Sequence, residues 1–132
     1  MEHLSEPQRA RLRQRLLEEK ARLQAVVMSE EVEAAADEET GDDQAEAAEE
    51  NRRATARLRQ RHHAQQLSEV DAALARMDEG TYGICEETDE PIPFARLELQ
   101  PTTRYTVDAL ELLEDEDARA KTIARESSDE GY

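Results

Sequence analysis

The sequence predicts a mainly α-helical protein in which a long antiparallel helical hairpin precedes a small knuckle and a C-terminal helix. Two observations predict the hairpin. No Gly or Pro interrupts residues 8–40 or 42–79, and apolar side chains recur at helical spacing in both segments. A third observation is that only 37% of the 132 residues are apolar, with one Phe and no Trp, which is too little for a thick globular core. An elongated helical shape suits this composition.

The first helix of the hairpin has a recognisable start. Ser5 can cap the backbone N–H groups of the first turn, and Pro7 lies in that turn, where a missing N–H is harmless. A narrow apolar stripe then runs among many charged residues; it comprises Leu12, Leu16, Leu23 and either Val26 or Val27. This pattern predicts a helix with one buried face.

The second helix is expected between two chain breaks, Thr40-Gly41-Asp42-Asp43 and Gly80. Its second half carries the spacing of a coiled-coil seam, with Leu67, Val70, Leu74 and Met77. We therefore expect an antiparallel coiled coil over residues 1–79 with its tip near 40–46. A turn at Gly41 sets residue i opposite residue 82 − i, which brings Glu30 near Arg52 and Arg53. The apolar seam could be buried within one hairpin or between the hairpins of two chains.

Charge is segregated along this hairpin. Residues 29–50 contain eleven acidic side chains and no basic one, whereas residues 51–68 contain five arginines and no acid. The tip is expected to be an acidic contact surface, although an acidic, Ala-rich helix also occurs simply as solvated surface. The net charge of −16 opposes direct DNA binding, because affinity for the phosphate backbone comes from Lys and Arg.

Several classes of protein are disfavoured by the sequence. The single cysteine, Cys85, cannot form an internal disulfide, and no apolar run reaches the ~20 residues of a membrane span. Residues 1–5 lack the basic and apolar regions of a signal peptide, so we expect a cytoplasmic protein. No phosphate-binding Gly-rich loop or arrangement of nucleophile and base points to an enzyme. The three histidines, His3, His62 and His63, are expected at the surface.

The knuckle, residues 80–106, carries the most specific motif. It reads Gly80-x-Tyr82-Gly83-x-Cys85, Ile92, Arg96-Leu97-Glu98 and Pro101-Thr102. The apolar-periodic residues 107–113 predict the C-terminal helix, within a unit spanning 80–122, and residues 123–132 are expected to form a disordered tail. Together with the acidic-tipped hairpin, the motif resembles the DksA/TraR family of bacterial RNA polymerase-binding transcription factors. The resemblance implies Cys85, Arg96, Leu97 and Pro101 as the framework of the knuckle.

Members of this family typically hold zinc with four cysteines, spaced C-x2-C, seventeen residues, then C-x2-C. Those positions fall here on Cys85, Thr88, Thr106 and Ala109. Structural zinc needs four sulfur or nitrogen donors, so we expect a degenerate zinc-finger-like knuckle without metal or other cofactor. Apolar packing is expected to replace the binding energy of zinc. We interpret Cys85 as a buried structural residue in preference to a redox sensor, because no second cysteine could resolve an oxidised thiol.

The resemblance also implies a function. The hairpin would enter the secondary channel of RNA polymerase, with tip residues Asp42, Asp43 and Glu46 approaching the catalytic Mg²⁺ and changing the stability of promoter complexes. The family's tip pattern, Asp-x-x-Asp-x-Ala, falls on Asp42, Ala45 and Ala47, so its second Asp is missing here. The stringent-response alarmone ppGpp is an additional partner to consider at the polymerase interface. The alternative is a non-transcriptional coiled-coil adaptor whose acidic tip binds a basic partner.

Overall fold

The described residues form four helices, and one hydrophobic core joins the base of the hairpin, the knuckle and the first turn of the last helix. The computed structural model describes residues 1–39 and 46–129. The helices are α1 (Glu6–Glu39), α2 (Glu46–Glu79), α3 (Phe94–Leu99) and α4 (Val107–Asp129). Helices α1 and α2 form the antiparallel hairpin, and the knuckle with α3 lies at its base. The mainly helical fold class predicted from the sequence is confirmed.

Helix α1 begins with a reciprocal cap. The backbone N–H of Gln8 donates to the Ser5 hydroxyl across 3.2 Å, and the side-chain oxygen of Gln8 accepts from the backbone N–H of Ser5 at 2.9 Å. The predicted cap is therefore present in the form of a capping box, in which each residue satisfies an N–H group that the helix leaves free.

The buried seam of the hairpin occupies the half next to the knuckle. It consists of Leu12, Leu16 and Leu23 on α1 and Val70, Ala73 and Met77 on α2. Of the predicted seam residues, Leu67 and Leu74 are partly buried against this core. In the described part of the hairpin, no side chain beyond Leu23 and Val70 is buried, so apolar stabilisation is concentrated near the base.

The register of the hairpin differs from the prediction. Arg13 pairs with Asp78 at 2.8 Å, Lys20 with Asp71 at 2.9 Å, and Glu30 with His63 at 2.9 Å. The numbers of each pair add up to 91 or 93 in place of the expected 82. The expected proximity of Glu30 to Arg52 and Arg53 is therefore wrong. The position of a turn signal in the sequence does not set the register, because the packing of buried side chains decides how the two helices are aligned along their length.

The N-terminal segment anchors the knuckle to the base of the hairpin. Leu4 is buried, and the His3 ring nitrogen Nε2 lies 2.8 Å from the carbonyl oxygen of Ile92. Both side chains cover Gly83, whose φ of +79° is strained for any residue with a Cβ. A single antiparallel bridge joins Ile84 to Pro91.

Helix α4 is longer than the sequence suggested. It continues to Asp129, through residues 123–129 that were expected to be disordered. No Gly or Pro occurs between Pro101 and Gly131, so nothing in the local sequence stops the helix at 122. Residues 130–132 lie outside the described ranges.

Candidate functional site

The predicted acidic tip lies almost entirely outside the described residues. Asp42 and Asp43 fall outside them, and Glu46 is the exposed first described residue of α2. In the observed register, Glu39, the last described residue of α1, lies level with residues 52–54 of α2. The start of α2 also carries Glu49 and Glu50.

The distal half of the hairpin exposes apolar and basic groups. Met28, Val32 and Leu58 are 61–68% exposed, although side chains of this type normally pack in a helical hairpin. Next to them on α2 are arginines that have no ion-pair partner among the described residues: Arg53, Arg57, Arg59 and Arg61. This surface therefore combines apolar area with unpaired positive charge, which is typical of contact surfaces.

One of the histidines takes part in the hairpin interface. His63 Nδ1 lies 2.9 Å and 3.1 Å from the two carboxylate oxygens of Glu30, and both side chains are mostly buried. The expectation that His63 is a surface residue is therefore wrong. The sequence does not predict the contact between His63 and Glu30, because the expected register placed Glu30 next to other residues of α2.

The knuckle contains a buried tyrosine that bonds to Pro101, one of the predicted framework residues. Tyr82 is fully buried, and its hydroxyl donates a 2.8 Å hydrogen bond to the carbonyl oxygen of Pro101. Burial raises the pKa of Tyr82 to about 12, although Arg76 and Arg15 lower it in part. Leu97 is fully buried beside it. The knuckle thus has a packed core that contains an aromatic ring and one buried hydrogen bond.

Arg96 connects two parts of the knuckle. Its Nε donates to the carbonyl oxygen of Tyr105 at 2.8 Å, and its Nη2 donates to the Thr103 hydroxyl at 3.4 Å. These bonds hold α3 against the segment that leads into α4. The planar guanidinium supplies two donors in fixed directions, which a lysine could not reproduce.

Further contacts join the knuckle to both helices of the hairpin. Arg11 forms a 2.8 Å ion pair with Glu98, and Arg15 donates to the backbone carbonyl of the same residue. On the other helix, Arg76 donates to the carbonyl oxygen of Thr102 at 3.3 Å. The contacts of these arginines are not visible in the sequence, because basic residues on a charged helix give no sign of what they contact. Together they fix the direction in which the hairpin leaves the knuckle.

The four positions that hold zinc in the resembled family lie together: Thr88 and Thr106 hydrogen-bond to the Cys85 sulfur, and Ala109 bonds to Thr106. The Thr106 hydroxyl donates to the Cys85 sulfur at 3.9 Å and accepts from the backbone N–H of Ala109 at 3.2 Å. Cys85 and Ala109 are buried. Thr106 directly precedes α4, so its second bond is also the N-terminal cap of that helix.

The environment of Cys85 stabilises its thiolate. Burial raises the pKa of the thiol, but hydrogen bonds outweigh this effect and bring it from 9.0 to about 7. The donors are the Thr88 side chain and the backbone N–H groups of Thr106, Thr88 and Glu87. Backbone N–H groups directed at one sulfur stabilise negative charge there in the absence of any metal.

The overall architecture matches that of a solved protein. The structure of transcription factor DksA2 from Pseudomonas aeruginosa superposes with a TM-score of 0.79 and 32% sequence identity, covering 86% of this chain and 88% of that one. The chain belongs to the DksA/TraR family. Identity at this level over most of both chains extends the similarity beyond the knuckle to the hairpin.

A family profile and shorter matches to curated relatives add to this similarity. Residues 80–114 match the profile described as the prokaryotic dksA/traR C4-type zinc finger. The RNA polymerase-binding transcription factor DksA of Caulobacter vibrioides is 53% identical over 45 residues, which are 34% of this chain and 32% of that protein. General stress protein 16O of Bacillus subtilis is 50% identical over 50 residues, 38% of this chain and 31% of that protein. These matches therefore span about a third of the curated relatives.

The residues present do not fit the zinc ion that the family profile implies. Cys85 is the one thiolate among the four ligand positions, Thr88 and Thr106 offer neutral hydroxyls, and Ala109 has no donor atom. The described residues contain no other cluster of three His, Cys, Asp or Glu side chains arranged to bind a metal. None of the helices in the described ranges is both long and apolar enough to cross a membrane.

Proposed function

We propose that this protein is a bacterial transcription regulator that binds RNA polymerase by inserting the α1–α2 hairpin into the secondary channel. There the acidic tip approaches the catalytic Mg²⁺ and changes the stability of promoter complexes. The observation that carries this proposal is the similarity of the whole fold, hairpin included, to the transcription factor DksA2.

The dimensions of the hairpin support the proposal. Helices α1 and α2 each have 34 residues, which at the α-helical rise corresponds to a length of about 50 Å. Such a hairpin is thin and long enough to cross a pore. The start of α2 carries Glu46, and Asp42 and Asp43 come shortly before it in the sequence. Clustered carboxylates can engage basic groups or perturb water and metal ions in a catalytic centre.

The sides of the hairpin support a contact along its length. The exposed side chains of Met28, Val32 and Leu58 provide apolar area that packs against nothing within the chain. The neighbouring unpaired arginines, including Arg57 and Arg61, provide charge for an acidic channel wall. We infer that the distal half of the hairpin contacts the polymerase, whereas the base is stabilised by its own core.

Our proposal places ppGpp only at the interface with the polymerase. A groove of about 650 Å³ lies where the hairpin meets residues 99–102, and Arg15 and Arg22 line it. Three acids, Glu18, Glu19 and Glu69, line the same groove. Because these carboxylates outnumber the arginines, the groove alone has little attraction for a polyphosphate, and the polymerase would have to supply the additional positive charge.

We also propose that the knuckle folds without zinc. Apolar burial of Tyr82, Ile92 and Leu97 and the hydrogen bonds of Arg96 would replace the metal as the stabilising element. Each fully buried large side chain contributes about 1.5–3 kcal/mol, so three of them supply a substantial part of what a metal would add.

Binding to the core RNA polymerase of the host bacterium, measured with and without a Gre-type cleavage factor, tests the main proposal. We expect the protein to bind at low salt and to be displaced by that factor, because both would occupy the same channel. Absence of binding at low salt would overturn the proposal and favour an adaptor that binds a different basic partner. Binding without displacement would place the protein outside the secondary channel.

The role of the tip is tested separately by transcription in vitro from a stringent-response promoter, with and without ppGpp. The combined variant Asp42→Asn, Asp43→Asn and Glu46→Gln should bind polymerase but change transcript yield less than the wild-type protein. The control Glu114→Gln on α4, an exposed acid far along the chain from the tip, should act like the wild type. Equal yields with the tip variant and the wild type would mean that the tip acids are only solvated surface.

A further inference from the structure

Helix α4 stands apart from the other helices. Within the described ranges, the Cα atoms of α4 do not approach α1, α2 or α3 to within 8 Å. Its first turns contact the knuckle through Ala109, which is 1% exposed, but all its residues from Glu114 to Glu126 are exposed. Leu112 and Ile123 are 59% and 64% exposed. A helix of 23 residues with free apolar groups gains stability from a partner.

One face of α4 carries four residues that would pair favourably with the same four residues of a second, antiparallel copy. Leu112, Glu116, Arg119 and Ile123 follow one another at spacings of four, three and four residues, so they share one face of the helix. When the stripe is read backwards, isoleucine meets leucine and arginine meets glutamate. A second copy of α4 lying antiparallel would therefore pair Leu112 with Ile123 and Glu116 with Arg119, each pair twice.

The neighbouring positions agree with this arrangement. On one side of the stripe, antiparallel pairing brings Leu113 opposite Ala120, which is a small apolar contact. On the other side it brings Asp115 opposite Thr122, a neutral side chain whose hydroxyl donates to the carbonyl oxygen of Ala118 at 3.0 Å. No like charges face each other along the stripe or at these two flanks.

The two charged residues of the stripe are available for such a partner. In the part of the chain that the structure describes, α4 contains one ion pair, between Lys121 and Asp117, which lies on a different face. Glu116 and Arg119 have no ion-pair partner there, although they are three residues apart on the same helix. An antiparallel copy would satisfy both.

We propose that the protein self-associates through α4, with two copies of this helix packed antiparallel around a two-fold axis between residues 117 and 118. Such an interface is isologous, since the same stripe serves on both sides. It is short and buries less than the ~1,200 Å² of a standard stable complex, so the dimer is weak and reversible. This inference goes beyond the proposed function and involves no residue of the hairpin.

Sedimentation velocity on the full chain at low salt, from about 5 to about 500 µM, tests the proposal, since this range brackets micromolar dissociation constants. The mass should rise from 15.0 kDa towards twice that value with concentration. A constant mass of 15.0 kDa across the range would overturn the proposal.

Charge variants locate the interface. Arg119→Glu places two glutamates opposite each other at both symmetric positions and should weaken the dimer about tenfold or more, because two pairs turn from attraction to repulsion. The matched control is Arg125→Glu, which makes the same change on the opposite face and should leave the dissociation constant within about twofold. Equal effects of the two variants would overturn the proposed stripe.

A mixing experiment gives the sharpest test. Glu116→Arg alone should also weaken self-association, since arginine would then face Arg119. An equimolar mixture of the Glu116→Arg and Arg119→Glu variants should form heterodimers as readily as the wild type forms dimers, because each glutamate again faces an arginine. The double variant carrying both changes should recover self-association. Failure of both the mixture and the double variant to associate would overturn the antiparallel arrangement.

Discussion

The hydroxyl of Thr106 lies 3.9 Å from the sulfur of Cys85 and donates a hydrogen bond to it, while accepting one from the backbone N–H of Ala109. One threonine thus caps α4 and joins this helix to the loop that follows α2. In a four-cysteine knuckle a metal would connect the same two segments. Here a thiol, a hydroxyl and backbone N–H groups connect them.

The hydrogen bonds to Cys85 predict a pH-dependent stability. A thiol whose pKa is about 7 when folded and 9.0 when exposed contributes stability that is fully present above pH 9 and is lost as the pH falls through 7. The destabilisation caused by Cys85→Ala should therefore be larger at pH 9.5 than at pH 6, by about 2 kcal/mol at most. Urea unfolding in the presence of a reductant measures it.

The contribution of Thr88, whose side chain is the strongest of the pKa-lowering donors, can be separated in the same measurement. Thr88→Val removes the hydroxyl and should reduce the pH dependence, whereas Thr88→Ser keeps the donor and should preserve it. If Cys85→Ala costs the same free energy of unfolding at both pH values, the thiolate is not stabilised as the hydrogen bonds indicate.

The knuckle should remain folded when metal is removed. Elemental analysis of the purified protein is expected to find far less than one zinc per chain, and a chelator should leave Tm unchanged. The triple variant Thr88→Cys, Thr106→Cys and Ala109→Cys restores four thiolates and should bind one zinc ion, with a Tm that falls on chelation. A stoichiometric, chelator-sensitive metal in the wild-type protein would contradict the prediction.

Two glycines with similar backbone angles should respond differently to alanine. Gly80 and Gly83 have φ of +82° and +79°, so either substitution strains the backbone. A Cβ at Gly80 meets nothing within 4 Å, whereas one at Gly83 lies 3.2 Å from the His3 ring and 3.4 Å from Leu97. Gly80→Ala should cost about 1 kcal/mol and Gly83→Ala about 1–3 kcal/mol more. Thermal unfolding compares the two variants. Equal losses in the free energy of unfolding would mean that the N-terminal segment moves away from an added Cβ without a measurable penalty.

Substitutions in the half of the hairpin next to the knuckle should lower stability, whereas those in the distal half should not. Leu23 is fully buried, so Leu23→Ala should lower the free energy of unfolding by about 2–5 kcal/mol. Leu58 is 61% exposed, so Leu58→Ala should change it by less than about 0.5 kcal/mol. Denaturant unfolding checks both values.

The same leucine variant bears on the proposed polymerase contact. Leu58→Ala should weaken binding to core RNA polymerase, because this side chain would be covered only in the complex. Unchanged affinity would mean that the distal apolar surface does not contact the polymerase. Since the variant stays folded, the result is not confused with a loss of structure.

Local sequence signals predicted the elements of the fold well. The Ser5 cap, the long segments without Gly or Pro and the Leu16 and Met77 positions of the seam all depend on neighbouring residues, so they can be read from the chain directly. That three of the four zinc-ligand positions lack cysteine can also be read from the sequence directly, because it depends only on residue identity.

Contacts between distant segments were not predictable in this way. The pairing of His63 with Glu30 and the bonds of Arg15 and Arg76 to the knuckle depend on the helix register and on where the knuckle folds back. A turn residue fixes register only when the loop is short and regular. In this hairpin the register set by the large buried side chains differs from the expected one by nine to eleven residues.

The sequence by itself predicted a long helical hairpin, with acidic residues concentrated in residues 29–50, and determined that three of the four zinc-ligand positions in the knuckle lack a thiolate. Only the tertiary structure decided how Cys85, Thr106 and Ala109 meet at the vacated ligand positions and what holds them there. The physical reason is that helix formation and donor chemistry are local properties. The hydrogen bonds that lower the pKa of Cys85 come from residues up to 21 positions away and exist only after the core around Tyr82 has closed.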